Sequence, residues 1–331
     1  MTSATLDVLA IGNAIVDIIG HCDDAFLKAH GCPKGHMRLV DPATISALYD
    51  NMGPSTEMSG GSAANTAVGI ASFGGKAGFI GKIADDEFGH IFAHDIKSAK
   101  VAFNGVPAAG GSAPTSRSLI LVTPDGERTM NTLLGISTEL GDAELLPAMI
   151  ESAKVLYLEG YLFDRPDAKA AFRKAVAIAK KAGREVALSL SDAFCVDRHR
   201  AEFKALIAEG VDIVFANESE ITSLYETPDF QKAAAQASKD IKLAVLTRGS
   251  EGSVIFFADN EFRVAVDPVA TVVDTTGAGD LYAAGFLFGY TQGFDLAKAG
   301  RFASLAAAEI ISHTGARPAT SLKSVAALKG V

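Results

Sequence analysis

The feature that most constrains this chain is an alternation of short aliphatic runs with longer amphipathic stretches. "LDVLAIG" (6–12), "AGFIGKI" (77–83), "KVLYLEG" (154–160), "EVALSL" (185–190), "VDIVFAN" (211–217) and "KLAVLTRG" (242–249) are largely apolar. Such runs read as strands buried on both faces. Between them, "AANTAVGIASFG" (63–74), "DEFGHIFAHDIKSA" (86–99) and "PDAKAAFRKAVAIAKKAG" (166–183) carry apolar residues at helical spacing. The last closes on Gly183, a common helix stop. This order implies an α/β fold, with a parallel sheet covered by helices on both faces. At 331 residues and 48% hydrophobic, the chain can bury one large core and carry a small appendage.

Two stretches break the rhythm. One is 13–41. The other, 112–137, contains "SRSLILVTPDGERTMNT", two β-rich runs around Pro124-Asp125-Gly126. That is a hairpin pattern. Both read as a small β lid over a large domain made of 1–12, 42–111 and 138–331. The loose stretch "GVPAAGGSAPTS" (105–116) reads as a hinge into the lid.

Composition removes several function classes. The net charge is -9 and no block of Lys and Arg occurs, which disfavours nucleic acid as a partner. No apolar run is long enough to span a bilayer. Cys22, Cys32 and Cys195 are too few and too scattered for a disulfide framework. With no basic, apolar leader at the N-terminus, a reduced, cytoplasmic setting is expected. The first strand ends "AIGNAIVD", not Gly-x-Gly-x-x-Gly, and there is no Walker-type Lys loop. "HIFAH" lacks the Glu of a zinc protease, and Cys22, Cys32 and His36 lack zinc-ribbon spacing. "DRH" at 197–199 is not a protein-kinase catalytic loop.

The most informative junction is "DTTGAGD" (274–280), between an apolar run and the long apolar segment "LYAAGFLFGY". In parallel sheets, ligands sit beyond the strand carboxyl ends, where helix N-termini point. Gly277 and Gly279 permit tight turns and close ligand approach. With Ala278 they present first-turn N–H groups, an anion site suited to phosphate. Asp280 is the odd member, because a carboxylate repels that anion. It makes sense if a hydroxyl lies between Asp280 and the phosphate, with Asp280 taking the hydroxyl proton. The plain alternative is a helix cap. A helix N-terminus also favours the ionised carboxylate, which would make Asp280 a weak base.

"DTTGAGDLYAAGFL" resembles the C-terminal signature of the ribokinase-like (PfkB) carbohydrate and nucleoside kinases along its full length. "GGSAANTAVGIASFG" resembles the family's N-terminal motif at Gly60, Gly61, Asn65 and Ala67. One departure is Ala84 in "IADDEFG", where the family usually has Gly. The resemblance covers essentially the whole chain. It implies a three-layer α/β/α sandwich with a mostly parallel sheet and a small β lid. It also implies ATP and Mg²⁺ as cofactors, and a small-molecule nucleoside or sugar as partner, in a monomer or homodimer.

The same resemblance implies roles. Gly60, Gly61, Ser62, Asn65 and Asp17 become contacts to substrate hydroxyls. The form Gly12-Asn13-x-x-x-Asp17 looks more like adenosine kinases than like ribokinase or fructokinase, and adds Asn13. Asn217 and Glu220 resemble the element that organises magnesium, largely through water, and phosphate. Thr247, Gly249 and Gly252 resemble the turn that holds the nucleotide. Arg128 resembles a lid arginine that clamps phosphate, with Arg117 as its competitor. Asp274 and Thr276 are implied as neighbours of a monovalent cation such as K⁺. Tyr161, Phe163 and Glu159, with Met37 and Leu134, are candidates for an apolar slot for a base; each alone suits a core position, and Glu159 also suits a sugar hydroxyl. The expected reaction is phosphoryl transfer from ATP to the 5′-hydroxyl of a ribonucleoside, adenosine first. Guanosine, inosine or a free sugar is the alternative acceptor. A non-catalytic nucleoside- or sugar-binding regulator, or another ligase or transferase, is the rival class.

Overall fold

The computed structural model describes residues 4–108 and 113–331. The chain opens with β1 (Leu6–Ile11), β2 (Ile15–His21), α1 (Asp24–Ala29), β3 (Met37–Leu39), α2 (Pro42–Asn51), β4 (Ser55–Gly60) and α3 (Ser62–Phe73). Next come β5 (Ala77–Ile80), α4 (Glu87–Ser98), β6 (Ala102–Phe103), β7 (Ser116–Val122), β8 (Arg128–Leu133), α5 (Pro147–Ser152), β9 (Ala153–Glu159), α6 (Pro166–Lys181) and β10 (Glu185–Ser189). The rest is α7 (Ala193–Gly210), β11 (Ile213–Asn217), α8 (Glu218–Leu224), α9 (Phe230–Asp240), β12 (Leu243–Thr247), β13 (Ser253–Phe257), β14 (Asn260–Val264), α10 (Ala278–Thr291), α11 (Leu296–Ile310) and α12 (Leu322–Lys329). Among the described residues no helix is long and apolar enough to cross a membrane. The three cysteines are free.

Among the described residues the strands form two sheets. The nine-stranded sheet runs β14-β13-β12-β11-β10-β9-β1-β5-β6. It is parallel from β12 to β6, with β13 and β14 antiparallel at one edge. Strand β1 shows why both faces are covered. Val8 and Ala10 enter one hydrophobic cluster, with α3, α10 and α11; Leu9 and Ile11 enter another, with α6, α7 and α9. The order reverses between β1 and β9, a switch point of the kind where α/β sheets bind ligands.

The second sheet runs β3-β8-β7-β2-β4. It corrects the expected boundary: β4 lies inside 42–111, yet pairs with β2 from Ile15↔Gly60 to Gly20↔Ser55. Its sequence, "STEMSG", is polar because it forms an edge with little to bury, so hydrophobic pattern alone misses it. In the hinge stretch 105–116, residues 109–112 lie outside those described.

Lid strand β2 alternates by side chain. Val16 and Ile18 are fully buried in the core, whereas Ile15, Asp17 and Ile19 line a cavity. The same cavity takes Ser118 and Ile120 from β7, and Arg128, Met130 and Thr132 from β8. One face of the lid sheet therefore roofs the site, as period 2 requires.

Two helix contacts aim the floor. A Cβ on Gly69 would lie 2.6 Å from the Ala284 Cβ, so α3 and α10 cross at close range. On Gly285 it would lie 2.4 Å from the Phe302 carbonyl oxygen, which seats α10 against α11. These contacts bring the N-termini of α3 and α10 together.

Candidate active site

Asp280 lies in the first turn of α10, on the floor of a cavity of about 430 Å³. Ser62 Oγ donates to its Oδ1 at 2.6 Å, and Asn65 Nδ2 donates to Oδ2 at 2.9 Å. Both donors come from the first turns of α3. Burial raises the Asp280 carboxyl above its ordinary value; Ser62, Asn65 and the charge of Arg317 act the other way. The carboxylate is thus a better base than a helix N-terminus alone would leave it.

Beside it, Gly277 adopts φ 77, and a Cβ there would press at 3.0 Å on Ala316. Glycine is required by conformation and by space. Gly279 differs: a Cβ there would meet nothing within 4 Å among the described residues beyond its own stretch of chain. Among the described residues the N–H groups of Gly277, Gly279 and Asp280 meet no protein acceptor, whereas that of Ala278 donates to Thr275 O at 3.1 Å. The expected anion hole is therefore built from the flanking amides, with Ala278's turned back into the loop.

Asp17 faces Asp280 from the lid. No protein donor among the described residues reaches its carboxylate, leaving both oxygens for a ligand. Burial pushes its carboxyl up to about 6, against the charges of Arg317 and Arg128 and together with that of Asp280. Asn65 Oδ1 is likewise buried without a partner. Unfilled acceptors from both sides of one cavity suit a polyhydroxylated ligand.

A second cavity, of about 550 Å³, adjoins the first. Both are lined by Thr247, Thr275, Ala278, Gly279 and Tyr282. The second has apolar walls, among them Val266, Val269, Val272 and Ile311, and takes in Gly249 and Gly252. Gly252 sits at φ 83, where a Cβ would lie 2.2 Å from the Val264 carbonyl oxygen. Two cavities meeting at Gly279 are the layout a two-substrate transfer needs.

Asn217 and Glu220 line the first cavity and cap α8 reciprocally. Asn217 N and Nδ2 donate to the two Glu220 oxygens at 3.0 and 2.6 Å. Burial raises Glu220 to about 7. Each oxygen keeps a lone pair, so this carboxylate fits a water-mediated contact to Mg²⁺. Among the described residues no cluster of three or more His, Cys, Asp or Glu could hold an ion, so phosphates and water would supply most of its ligands.

Three expected site residues lie elsewhere. Asn13 is buried and spent: Nδ2 donates to Glu159 Oε1 at 2.7 Å, and Oδ1 accepts from Ser137 Oγ at 2.9 Å. Phe163 is 2% exposed and stacks on Phe203 at 4.0 Å, in the core beneath α7. The 3₁₀ turn Gly160–Asp164 rotates it inward and leaves Tyr161 at the cavity. Gly60 is not a lining residue; a Cβ there would lie 2.2 Å from Asp17 Oδ2, so its role is to admit that carboxylate.

Glu159 is equally inward. It accepts from Asn13 and from Ala63 N at 2.8 Å, and burial lifts it to about 7. It ties β9 to the ends of β1 and α3 and is closed to a sugar hydroxyl.

The expected cation site also fails to fit. Arg128 Nη1 donates to Asp274 and, at 2.9 Å, to Thr276 Oγ1. Asp274 further accepts from Thr276 N and Gly315 N, each at 3.0 Å. The positive charge at this pair is the guanidinium itself. Among the described residues Arg128 Nε and Nη2 are buried without partners, and Arg128 lines the cavity. Arg117 turns to the opposite face, its guanidinium 4.6 Å from the Phe88 ring centroid.

The pfkB family carbohydrate kinase profile matches residues 52–322. The chain belongs to that family. Among solved structures, an adenosine kinase from Sinorhizobium meliloti is 51% identical, with a TM-score of 0.89 over 99% of this chain and 100% of that one. A probable sugar kinase protein from Rhizobium etli CFN 42 is 47% identical, with a TM-score of 0.90 over 99% of each chain. A 5-dehydro-2-deoxygluconokinase from Shouchella clausii is 30% identical over 283 residues, 82% of this chain and 86% of that protein. As a pfkB kinase, this chain is an ATP-dependent carbohydrate or nucleoside kinase.

Sequence reasoning did not single out Arg317, Ser189 or Ser191, nor the lid residues Ile15, Ile19, Ile120 and Met130. For Ile15, Ile19 and Ile120 the sequence offers only apolar strand runs, "IVDII" and "SLILV", with no apolar–polar alternation to separate the two faces. Nothing in those runs says which face meets a ligand.

Proposed function

We propose that this kinase transfers the γ-phosphoryl group of ATP to the 5′-hydroxyl of a ribonucleoside, adenosine foremost. The observation that carries the reading is Asp280 on the floor of the first cavity, next to Gly279 where the second adjoins it, and aimed by Ser62 and Asn65. Asp17, Gly61 and Asn65 hold the ribose hydroxyls. The Asp280 carboxylate accepts the 5′-hydroxyl proton as the oxygen bonds to phosphorus and the bond to the bridging oxygen of ADP breaks. The N–H groups of Gly277 and Gly279, with the free donors of Arg128, hold charge on the moving phosphoryl group. Bound Mg²⁺ would neutralise phosphate charge. The lid excludes water, the competing acceptor.

Two features support a base on the acceptor. The roof offers Ile15, Ile19, Ile120 and Met130, and the floor offers Tyr161 and Phe215, more apolar surface than a free sugar needs. The high identity to an adenosine kinase over nearly the full chain points the same way. The sugar reading draws on the Rhizobium etli and Shouchella clausii relatives.

The test is ADP release with ATP and Mg²⁺ against adenosine, guanosine, inosine, cytidine, ribose, fructose and 2-keto-3-deoxygluconate. Adenosine should give the highest kcat/KM, and Asp280→Asn should lower it about 10²–10⁴-fold. A signal from sugars alone would replace the nucleoside reading. A wild-type rate in Asp280→Asn would remove the general base.

A further inference from the structure

Arg317 is a partly buried cation with no carboxylate in direct contact among the described residues. Its Nε donates to Ser59 O at 2.8 Å, Nη1 to Ala64 O at 2.8 Å, and Nη2 to Ser59 Oγ at 2.9 Å as well as to Ser59 O. Ser59 is held from behind, donating through N and Oγ to Asp95 Oδ2 at 2.8 and 2.6 Å. Backbone carbonyls satisfy the donors of a guanidinium but do not neutralise it, and an uncompensated buried charge is costly. Burial lowers the Arg317 pKa only to about 10, so the group is charged at neutral pH.

The two residues it grips explain why a charge belongs there. Ser59 precedes Gly60, whose missing side chain makes room for the Asp17 carboxylate. Ala64 precedes Asn65, which donates to Asp280. Arg317 thus stands behind the turn that separates the lid carboxylate from the floor carboxylate. We propose that Arg317 is a positioning residue for phosphoryl transfer: it fixes the β4–α3 turn and keeps Asp17 and Asp280 ionised together. This rests on the kinase reading for its purpose, but not for its test.

The charged groups around the pair come from every side. Asp17 on β2 faces Arg317, Arg128 on β8 and Asp280 on α10. Arg317 itself faces Asp95 on α4, Asp17 and Asp280. Asp280 in turn acts on Glu159 and Tyr157 of β9, on Tyr161 and on Glu220 of α8. Arg128 is already committed to Asp274. Among the described residues, Arg317 makes no ion pair with a carboxylate of its own.

The experiment follows the carboxyl carbons of ¹³C-aspartate-labelled full-length protein by NMR as pH varies, without ATP or acceptor. Asp17→Asn and Asp280→Asn assign the two resonances. In Arg317→Gln both carboxyls should titrate about one unit or more higher than in wild type, and Arg317→Lys should recover part of the difference. Unmoved titrations in a folded Arg317→Gln overturn the proposal, as does a shift that Arg317→Lys leaves wholly uncorrected. Because no substrate is present, the result stands whatever the acceptor proves to be. A failed ADP-release panel would remove the proposed acceptors alone.

Discussion

Arg128 on the lid donates through one guanidinium nitrogen to both Asp274 and Thr276, so a single side chain spans the cleft to the loop that opens α10. Its Nε and Nη2 remain buried and unpartnered among the described residues. An arginine fork with two donors still free suits a phosphoryl group more than a carboxylate. Arg128→Lys keeps the charge but loses the fork. It should lower kcat about 10²–10³-fold while changing the acceptor KM little. A large KM effect with kcat intact would instead make Arg128 a ground-state contact.

The same pairing bears on cation dependence. Asp274 already accepts from Arg128, Thr276 N and Gly315 N, and the guanidinium supplies its counter-charge. Replacing K⁺ by a large organic cation at constant ionic strength should leave the ADP-release rate unchanged. A clear K⁺ activation would mean that Arg128 leaves Asp274 during turnover.

The acid limb of the rate profile follows from Asp17. Burial raises its carboxyl to about 6, and only the ionised form offers both oxygens as charged, purely accepting partners to two hydroxyls. Protonation therefore removes activity as pH falls. The kcat/KM profile should be flat above pH 7 and decline below an apparent value near 6, reporting the free enzyme. Asp280, also raised, must be ionised too, so the limb belongs to the pair. A limb near 4 would show that neither carboxyl is desolvated in solution.

Gly279 separates ligand space from folding. A Cβ there meets nothing within 4 Å among the described residues beyond its own stretch of chain, and both cavities meet at this residue. Gly279→Ala should hold or raise Tm, since alanine costs less chain entropy in a helix. It should lower kcat/KM about tenfold or more, because the methyl occupies the path of the phosphoryl group. Gly277→Ala, strained at φ 77, should lose stability as well. Loss of stability without loss of activity in Gly279→Ala would contradict the layout.

Much of this was legible because certain residues contradict their surroundings. Asp280 and two glycines at the mouth of an apolar helix make little sense as packing. The large sheet was legible because its strands are apolar on both faces. Other parts depend on distance along the chain. Asn13 and Glu159, 146 residues apart, satisfy each other, and no local pattern marks a polar residue as spent. Arg317 and Ser59 are 258 apart. Strand β4 hid for the opposite reason, being too polar to announce itself.

Phe163 and Tyr161 test where that limit fell. Both follow β9, and both are aromatic, so composition cannot rank them as base contacts. The turn after β9 decides it: Phe163 stacks on Phe203 in the core, while Tyr161, 46% exposed, lines the cavity. Phe163→Leu should cost about 1–2 kcal/mol by chemical denaturation and leave the acceptor KM alone. Tyr161→Ala should shift stability by less than about 0.5 kcal/mol, as exposed positions do. It should raise the acceptor KM severalfold, more for a nucleoside than for a free sugar, because only the base can stack there. The reverse pattern, a KM effect at Phe163 and a stability effect at Tyr161, would require the turn to be inverted.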